Sequence, residues 1–124
     1  MKKTYALVSA ILFGLVALLH LARALTGWDV FIGDYMLPVA RSWIVFGVTL
    51  CLAAWGIRGG GTYALVSSIL FGLVALLHLY RVLVTQTVVT VDTLLVPLSA
   101  SWIGAAVSVV LCIWGFRSYA ARNN

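Results

Sequence analysis

Acidic residues are nearly missing from this chain: three aspartates, Asp29, Asp34 and Asp92, and no glutamate among 124 residues. So few carboxylates leave no pair for general acid–base work, and an H-E-x-x-H metal-binding helix cannot be written. Cysteine is equally sparse. Cys51 and Cys112 lie far apart inside apolar blocks and form no C-x-x-C, which removes a redox motif or zinc site; they read as buried thiols acting as small apolar residues. Charged residues make up 9% of the chain, against about 25% in a soluble domain, too few to coat a water-facing surface. There is no Ser/His/Asp set and no glycine-rich phosphate loop, and Ser9 and His20 are about three turns apart on one apolar stretch, too far for a nucleophile and its base. The chain is expected to be non-enzymatic, with no metal and no cofactor.

What it has instead is apolar sequence, 64% of residues with a mean hydropathy of +1.13. The apolar residues fall into four blocks, at about 5–25, 39–57, 63–84 and 98–116. Each is near the roughly 20 residues a helix needs to cross a bilayer. The expected fold is all-α, a four-transmembrane-helix bundle. Met1, Lys2 and Lys3, an apolar run and Ala22-Arg23-Ala24 imitate a secretory signal. The run is longer than a signal's apolar core and returns almost unchanged at 63–84, so it is read as a span.

That return is the chief feature of the sequence. Thr4–Leu25 and Thr62–Leu83 differ at three positions only: Ala10/Ser68, Ala22/Tyr80 and Ala24/Val82. Leu37–Ile44 answers Val96–Ile103, and Trp55–Arg58 answers Trp114–Arg117, with the register slipping by one residue in the loop between. Two hairpin repeats follow, 1–58 and 62–124, joined by Gly59–Gly61, a flexible connection with the composition of a linker between fused copies. Each repeat holds two spans, so both enter the membrane from the same side. They are expected to be parallel repeats about an axis along the membrane normal, which sets His20 and His78 at one depth.

Charge supplies the orientation. Lys2, Lys3, Arg58, Arg117 and Arg122 collect on one side; Arg23, Arg41, Arg81 and all three aspartates collect on the other. The positive-inside rule then places both termini in the cytoplasm. The net charge of +5 is a topology signal, and no basic face interleaved with aromatics points to nucleic acid.

Packing can be read from helical spacing. Ala6, Ser9, Phe13, Ala17, His20 and Ala24 share a stripe edged by Arg23, and Ala64, Ser67, Phe71, Ala75, His78 and Val82 share another edged by Arg81. Small and hydrogen-bonding residues mark helix contacts in lipid. Gly104, Ser108 and Cys112 give the fourth block the same character, and Gly47 and Cys51 give the second a weaker version. Trp43 and Trp102 are expected at the outer interface and Trp55 and Trp114 at the inner one. Thr26–Pro38 suggests a short hairpin lying on the membrane, and Thr85–Val96, rich in β-branched residues, an extended segment.

The histidines carry the functional alternatives, since an ionisable group within a span is a candidate site by default. In the structural reading His20 bonds a neighbouring helix, through Ser101 or Asp29, while Arg23 and Arg81 snorkel to the headgroups. In the cofactor reading His20 and His78 are the two axial ligands of haem b, with Arg23 and Arg81 pairing its propionates, as in a bis-His membrane cytochrome. In the conduction reading Ser9, Ser67, both histidines and both arginines line a small anion channel or transporter. The length and span number resemble those of the small multidrug-resistance exporters, but that family relies on an acid in its first span. None is present here, which removes proton coupling.

The words ILFGLVALLHL-x-R, a loop ending in VPL, then SWIG and WGFR resemble short uncharacterised bacterial inner-membrane proteins of one helical hairpin. The resemblance covers each half separately. It implies a bacterial inner-membrane location and a single hairpin that dimerises and is fused here, and it implies no activity. The expected role is an accessory, assembly or oligomerising protein whose partners are the lipid bilayer and other membrane proteins or itself.

Overall fold

The structure, a computed structural model, describes residues 2–124. Met1 and the Lys2 side chain, both used above for repeat 1 and its orientation, lie outside the described residues. The helices are α1 (Lys2–Thr26), α2 (Ala40–Arg58), α3 (Gly61–Tyr80) and α4 (Leu98–Asn123). One π turn, Arg81–Thr85, extends α3. Four helices are thus long and apolar enough to cross a membrane, and a backbone in hydrocarbon must satisfy its polar groups internally, as helices do. Leu7, Ile11, Leu15, Leu18 and Leu19 stay exposed on α1 while Ala6, Ser9, Phe13 and Ala17 are buried, so the small stripe faces protein as the spacing predicts.

Two short hairpins cap one end of the bundle, which we call the loop end. The first is β1 (Val30–Ile32) with β2 (Tyr35–Met36); the second is β3 (Val89–Val91) with β4 (Leu94–Val96). They join into one antiparallel sheet, ordered β2-β1-β3-β4. The first hairpin falls where Thr26–Pro38 suggests one; the second hairpin and the shared sheet add strand to the all-α class expected from the apolar blocks. The central register sets Val30 opposite Val91, Phe31 opposite Thr90 and Ile32 opposite Val89. The pairing answers a backbone need, since two loops lying side by side complete each other's hydrogen bonds. Gly33 (φ 61°) and Asp92 (φ 53°) make the corresponding left-handed turns, a conformation that glycine and aspartate tolerate.

The one-residue slip between the repeats has a local solution. At the end of α1 the Gly27 N–H donates to Arg23 O, four residues back, at 2.7 Å; in repeat 2 the Gln86 N–H donates to Arg81 O, five back, at 2.6 Å. The extra residue is absorbed as a π turn, and the downstream loop regains its place.

Each α1–α2 and α3–α4 pair packs closely, and fewer contacts run between the pairs. Those that do are reciprocal. The Tyr5 hydroxyl is 2.7 Å from Ser67 Oγ, and the Tyr63 hydroxyl is 2.8 Å from Ser9 Oγ. Tyr5 lies edge-on to Trp114 and Tyr63 edge-on to Trp55, at 5.6 and 5.7 Å between centroids. Phe13 and Phe71 stack at 5.1 Å. Both tyrosines are fully buried. Each hairpin therefore inserts one tyrosine into the other, over Gly115 for Tyr5 and Gly56 for Tyr63, where an added Cβ would strike the ring.

Several expectations need correction. Gly59 and Gly60 (φ 72° and 124°) form a tight turn and α3 starts at Gly61, so the glycines supply a conformation closed to other residues rather than slack. The fourth helix runs to Asn123, well past residue 116. Cys51 is exposed, and no atom lies within 4 Å of a Cβ built on Gly47; α2 instead buries Ser42, Thr49, Leu52, Ala53 and Gly56. Trp55, near the end of α2, and Trp114, nine residues before the end of α4, both pack against tyrosines.

Candidate functional site

The residues singled out from the sequence gather at the loop end, in two clusters built on the same plan. In the first, α1 carries His20 and Arg23 one turn apart, and α2 opens with Ser42 beside them. Arg23 is only 5% exposed, which overturns the expectation that it reaches for headgroups. Its Nε donates to Trp28 O at 3.0 Å, NH2 to Leu37 O at 2.6 Å, and NH1 to Ser42 Oγ at 2.9 Å, with a longer contact to Pro38 O at 3.5 Å. A planar guanidinium with five fixed donors suits this task, because loop carbonyls converge on it from two directions. The arginine ties both ends of the β1–β2 loop to the helix pair.

Arg81 repeats the arrangement. Its Nε donates to Thr87 O at 3.0 Å, NH2 to Val96 O at 2.8 Å and NH1 to Ser101 Oγ at 2.7 Å. Thr87 holds the place of Trp28 only because the π turn has taken up the extra residue. Pro38 and Pro97 then lead into α2 and α4, each accepting a bond from the amide three residues on, at 3.1 Å in both cases.

The histidines are held differently. His20 Nδ1 lies 3.2 Å from Ser42 Oγ, so its partner is on its own hairpin, not Ser101 or Asp29. Ser42 can accept from Arg23 while giving its own proton to Nδ1, a set of roles that puts the neutral ring's single N–H on Nε2. The ring of His78 instead lies on α4 at Gly104, where an added Cβ would come within 2.7 Å of Nε2. The glycine read as a helix-packing residue is the seat of an imidazole.

The two rings line separate cavities. His20 and Arg23 border one of about 230 Å³ with Trp28, Leu37 and Val91. His78 and Arg81 border another of about 330 Å³ with Val89, Val96 and Ser101. Ser9 and Ser67, the other members of the expected polar path, lie far down the helices and are bonded to tyrosines and to carbonyls one turn back. Among the described residues, no buried side-chain nitrogen or oxygen lacks a hydrogen-bond partner, and no three His, Cys, Asp or Glu side chains are grouped to hold a metal.

Tyr5, Tyr63, Gly56 and Gly115 join these residues only in the folded bundle. The signal was present: both copies carry Thr-Tyr-Ala near the start and Trp-Gly near the end. No family model matches the chain, and no curated protein or solved structure matches it either.

Proposed function

We propose that this protein is a non-enzymatic assembly protein of the bacterial inner membrane, with both termini in the cytoplasm and the sheet-capped end outside. On this reading the two hairpins are parallel repeats about an axis along the membrane normal, and the chain acts through its surface on other membrane proteins or on further copies of itself.

One observation carries the proposal. Tyr5, Tyr63, Arg23 and Arg81 are spent on internal bonds: the tyrosines on serines across the repeats, the arginines on the loops they hold. Interhelical bonds of this kind hold helices in lipid, where hydrophobic burial supplies no drive. The reciprocal exchange of Tyr5 and Tyr63 supports a fused pair of like hairpins, and the excess of Lys and Arg at the terminal end supports the orientation. Separate cavities at His20 and His78 support neither a shared haem nor a common anion path.

Photocrosslinking in native membranes tests this, with the probe placed in turn at Leu95 on the sheet cap and Leu77 on α3, both exposed. The expected result is a discrete crosslinked species, to another membrane protein or to a second copy, from at least one position. Crosslinks to lipid alone, together with a Soret band lost on His20→Ala or His78→Ala, would replace the proposal with the cytochrome. Anion flux in liposomes abolished by Arg23→Ala plus Arg81→Ala would replace it with the channel.

A further inference from the structure

At the terminal end, opposite the histidines, a cavity of about 550 Å³ is bordered by Lys3 of α1, Arg58 at the end of α2 and Arg122 of α4. Its floor is the Gly59–Gly60 turn and its side wall is Leu7 and Ile57. The volume is within the usual range of small-molecule sites, about 300–1,000 Å³. We propose that this cavity binds a phosphate group, the chemistry shared by an anionic phospholipid headgroup and free phosphate, with Lys3, Arg58 and Arg122 as its cationic contacts.

Four observations converge. The cations arrive from three separate helices, and no acidic side chain is near to neutralise them, since Asp29, Asp34 and Asp92 all belong to the loop end. The orientation rule asks only for cations somewhere on this side; it does not ask for them around one cavity, and Arg117, which serves that rule equally well, is not among the lining residues. Gly60 lines the cavity and α3 begins at the next residue, so first-turn N–H groups of α3 adjoin it; α2 ends at the same place, and Arg58 offsets the negative end of its dipole. Finally, the apolar members of the lining, Leu7 and Ile57, are 55% and 76% exposed, on helix surface that hydrocarbon would cover in a span. An anionic head with an acyl stem fits both surfaces, and basic pockets between spans are recognised headgroup sites.

The repeat supplies an internal comparison. Lys3 corresponds to Gly61 in the second copy, and the Gly59–Gly60 turn corresponds to Ser118 and Tyr119, which continue α4 as helix. By the same one-residue slip Arg122 answers Tyr63, so the counterpart position lacks two of the three cations and has side chains in place of the glycines. The cavity exists where the duplication is broken.

Native mass spectrometry of the purified chain, with added phosphatidylglycerol, phosphatidylcholine or inorganic phosphate, tests the proposal. Phosphatidylglycerol is expected to be retained roughly tenfold better than phosphatidylcholine, and Arg58→Gln with Arg122→Gln should remove about that factor, while Arg117→Gln, with an equal charge change per residue, leaves it within about twofold. Displacement by equimolar inorganic phosphate would identify the free anion as the ligand; persistence of the lipid would identify the headgroup. Equal retention of the two lipids with no phosphate bound, or an equal loss per arginine in Arg117→Gln, overturns the site.

Discussion

Replacing Gly56 by alanine should destabilise this bundle, whereas the same change at Gly47, nine residues earlier on the same helix, should not. Alanine in a helix interior is favoured over glycine by about 0.5–1 kcal/mol, from backbone entropy alone. Nothing lies within 4 Å of a Cβ built on Gly47, so that gain should be realised there. At Gly56 the new atom would be 2.6 Å from the Tyr63 hydroxyl oxygen and 2.7 Å from Ala10 Cβ. Ala10 is one atom from its backbone and cannot swing away. Relief therefore requires α1 and α2 to separate or Tyr63 to leave its seat. Overpacking of this kind costs about 1–3 kcal/mol. Loss of the Tyr63–Ser9 bond adds about 0.6 kcal/mol, the average for interhelical bonds in a membrane protein. After the propensity gain, Gly56→Ala should be about 2 kcal/mol less stable than the parent, and the two variants should differ by nearly 3 kcal/mol. Titration with dodecyl sulfate in mixed micelles, followed by tryptophan fluorescence, measures both. Trp55 stands edge-on to Tyr63, so its share of the emission from the five tryptophans responds to the seat. Equal shifts in the two variants, or a Gly56→Ala protein as stable as the parent, would refute the tyrosine interlock.

Two further outcomes follow from the same contacts. A double-mutant cycle of Tyr5→Phe with Ser67→Ala should give a coupling of about 0.6–1.7 kcal/mol, matched by the cycle of Tyr63→Phe with Ser9→Ala; a clear difference between the cycles would show that the exchange is not reciprocal. Arg23→Gln should lower stability by about 1–3 kcal/mol, because half-buried loop carbonyls lose the donors of a buried guanidinium. Amide exchange over 28–38 should rise as the loop is released, and Arg23→Lys should fail to restore it, since an ammonium cannot reach the same carbonyls at once. Full protection of that loop in Arg23→Lys would refute the fork geometry.

Much of the architecture could be read without coordinates. The spans are set by apolar length, and the faces of α1 and α3 follow from Ala, Ser and Phe at helical spacing, because a lipid-facing surface accepts large side chains and a helix contact prefers small ones. The site was legible only in part. Arg23 and His20 stood out as costly residues in a span, but their partners did not. Ser42 is an ordinary serine until α2 folds back against α1 and sets its hydroxyl between the two. Gly104 looked like one member of a small-residue run, and its use as the seat of His78 depends on the pitch of α4 against α3. The π turn at Arg81–Thr85 could be anticipated only as a one-residue slip, since several local distortions would absorb an insertion equally well.

The sequence alone determined the number of helices long and apolar enough to cross a membrane, the duplication and the residues that α1 and α3 turn toward protein, since these depend on length, composition and period, which are properties of the chain itself. Tertiary structure decided which residues meet: tyrosines exchanged between hairpins, loops joined in one sheet and tied down by arginines, and histidines turned into separate cavities. Such pairings depend on distances of a few tenths of an ångström between distant segments. No local preference encodes them, and only the packed bundle selects among them.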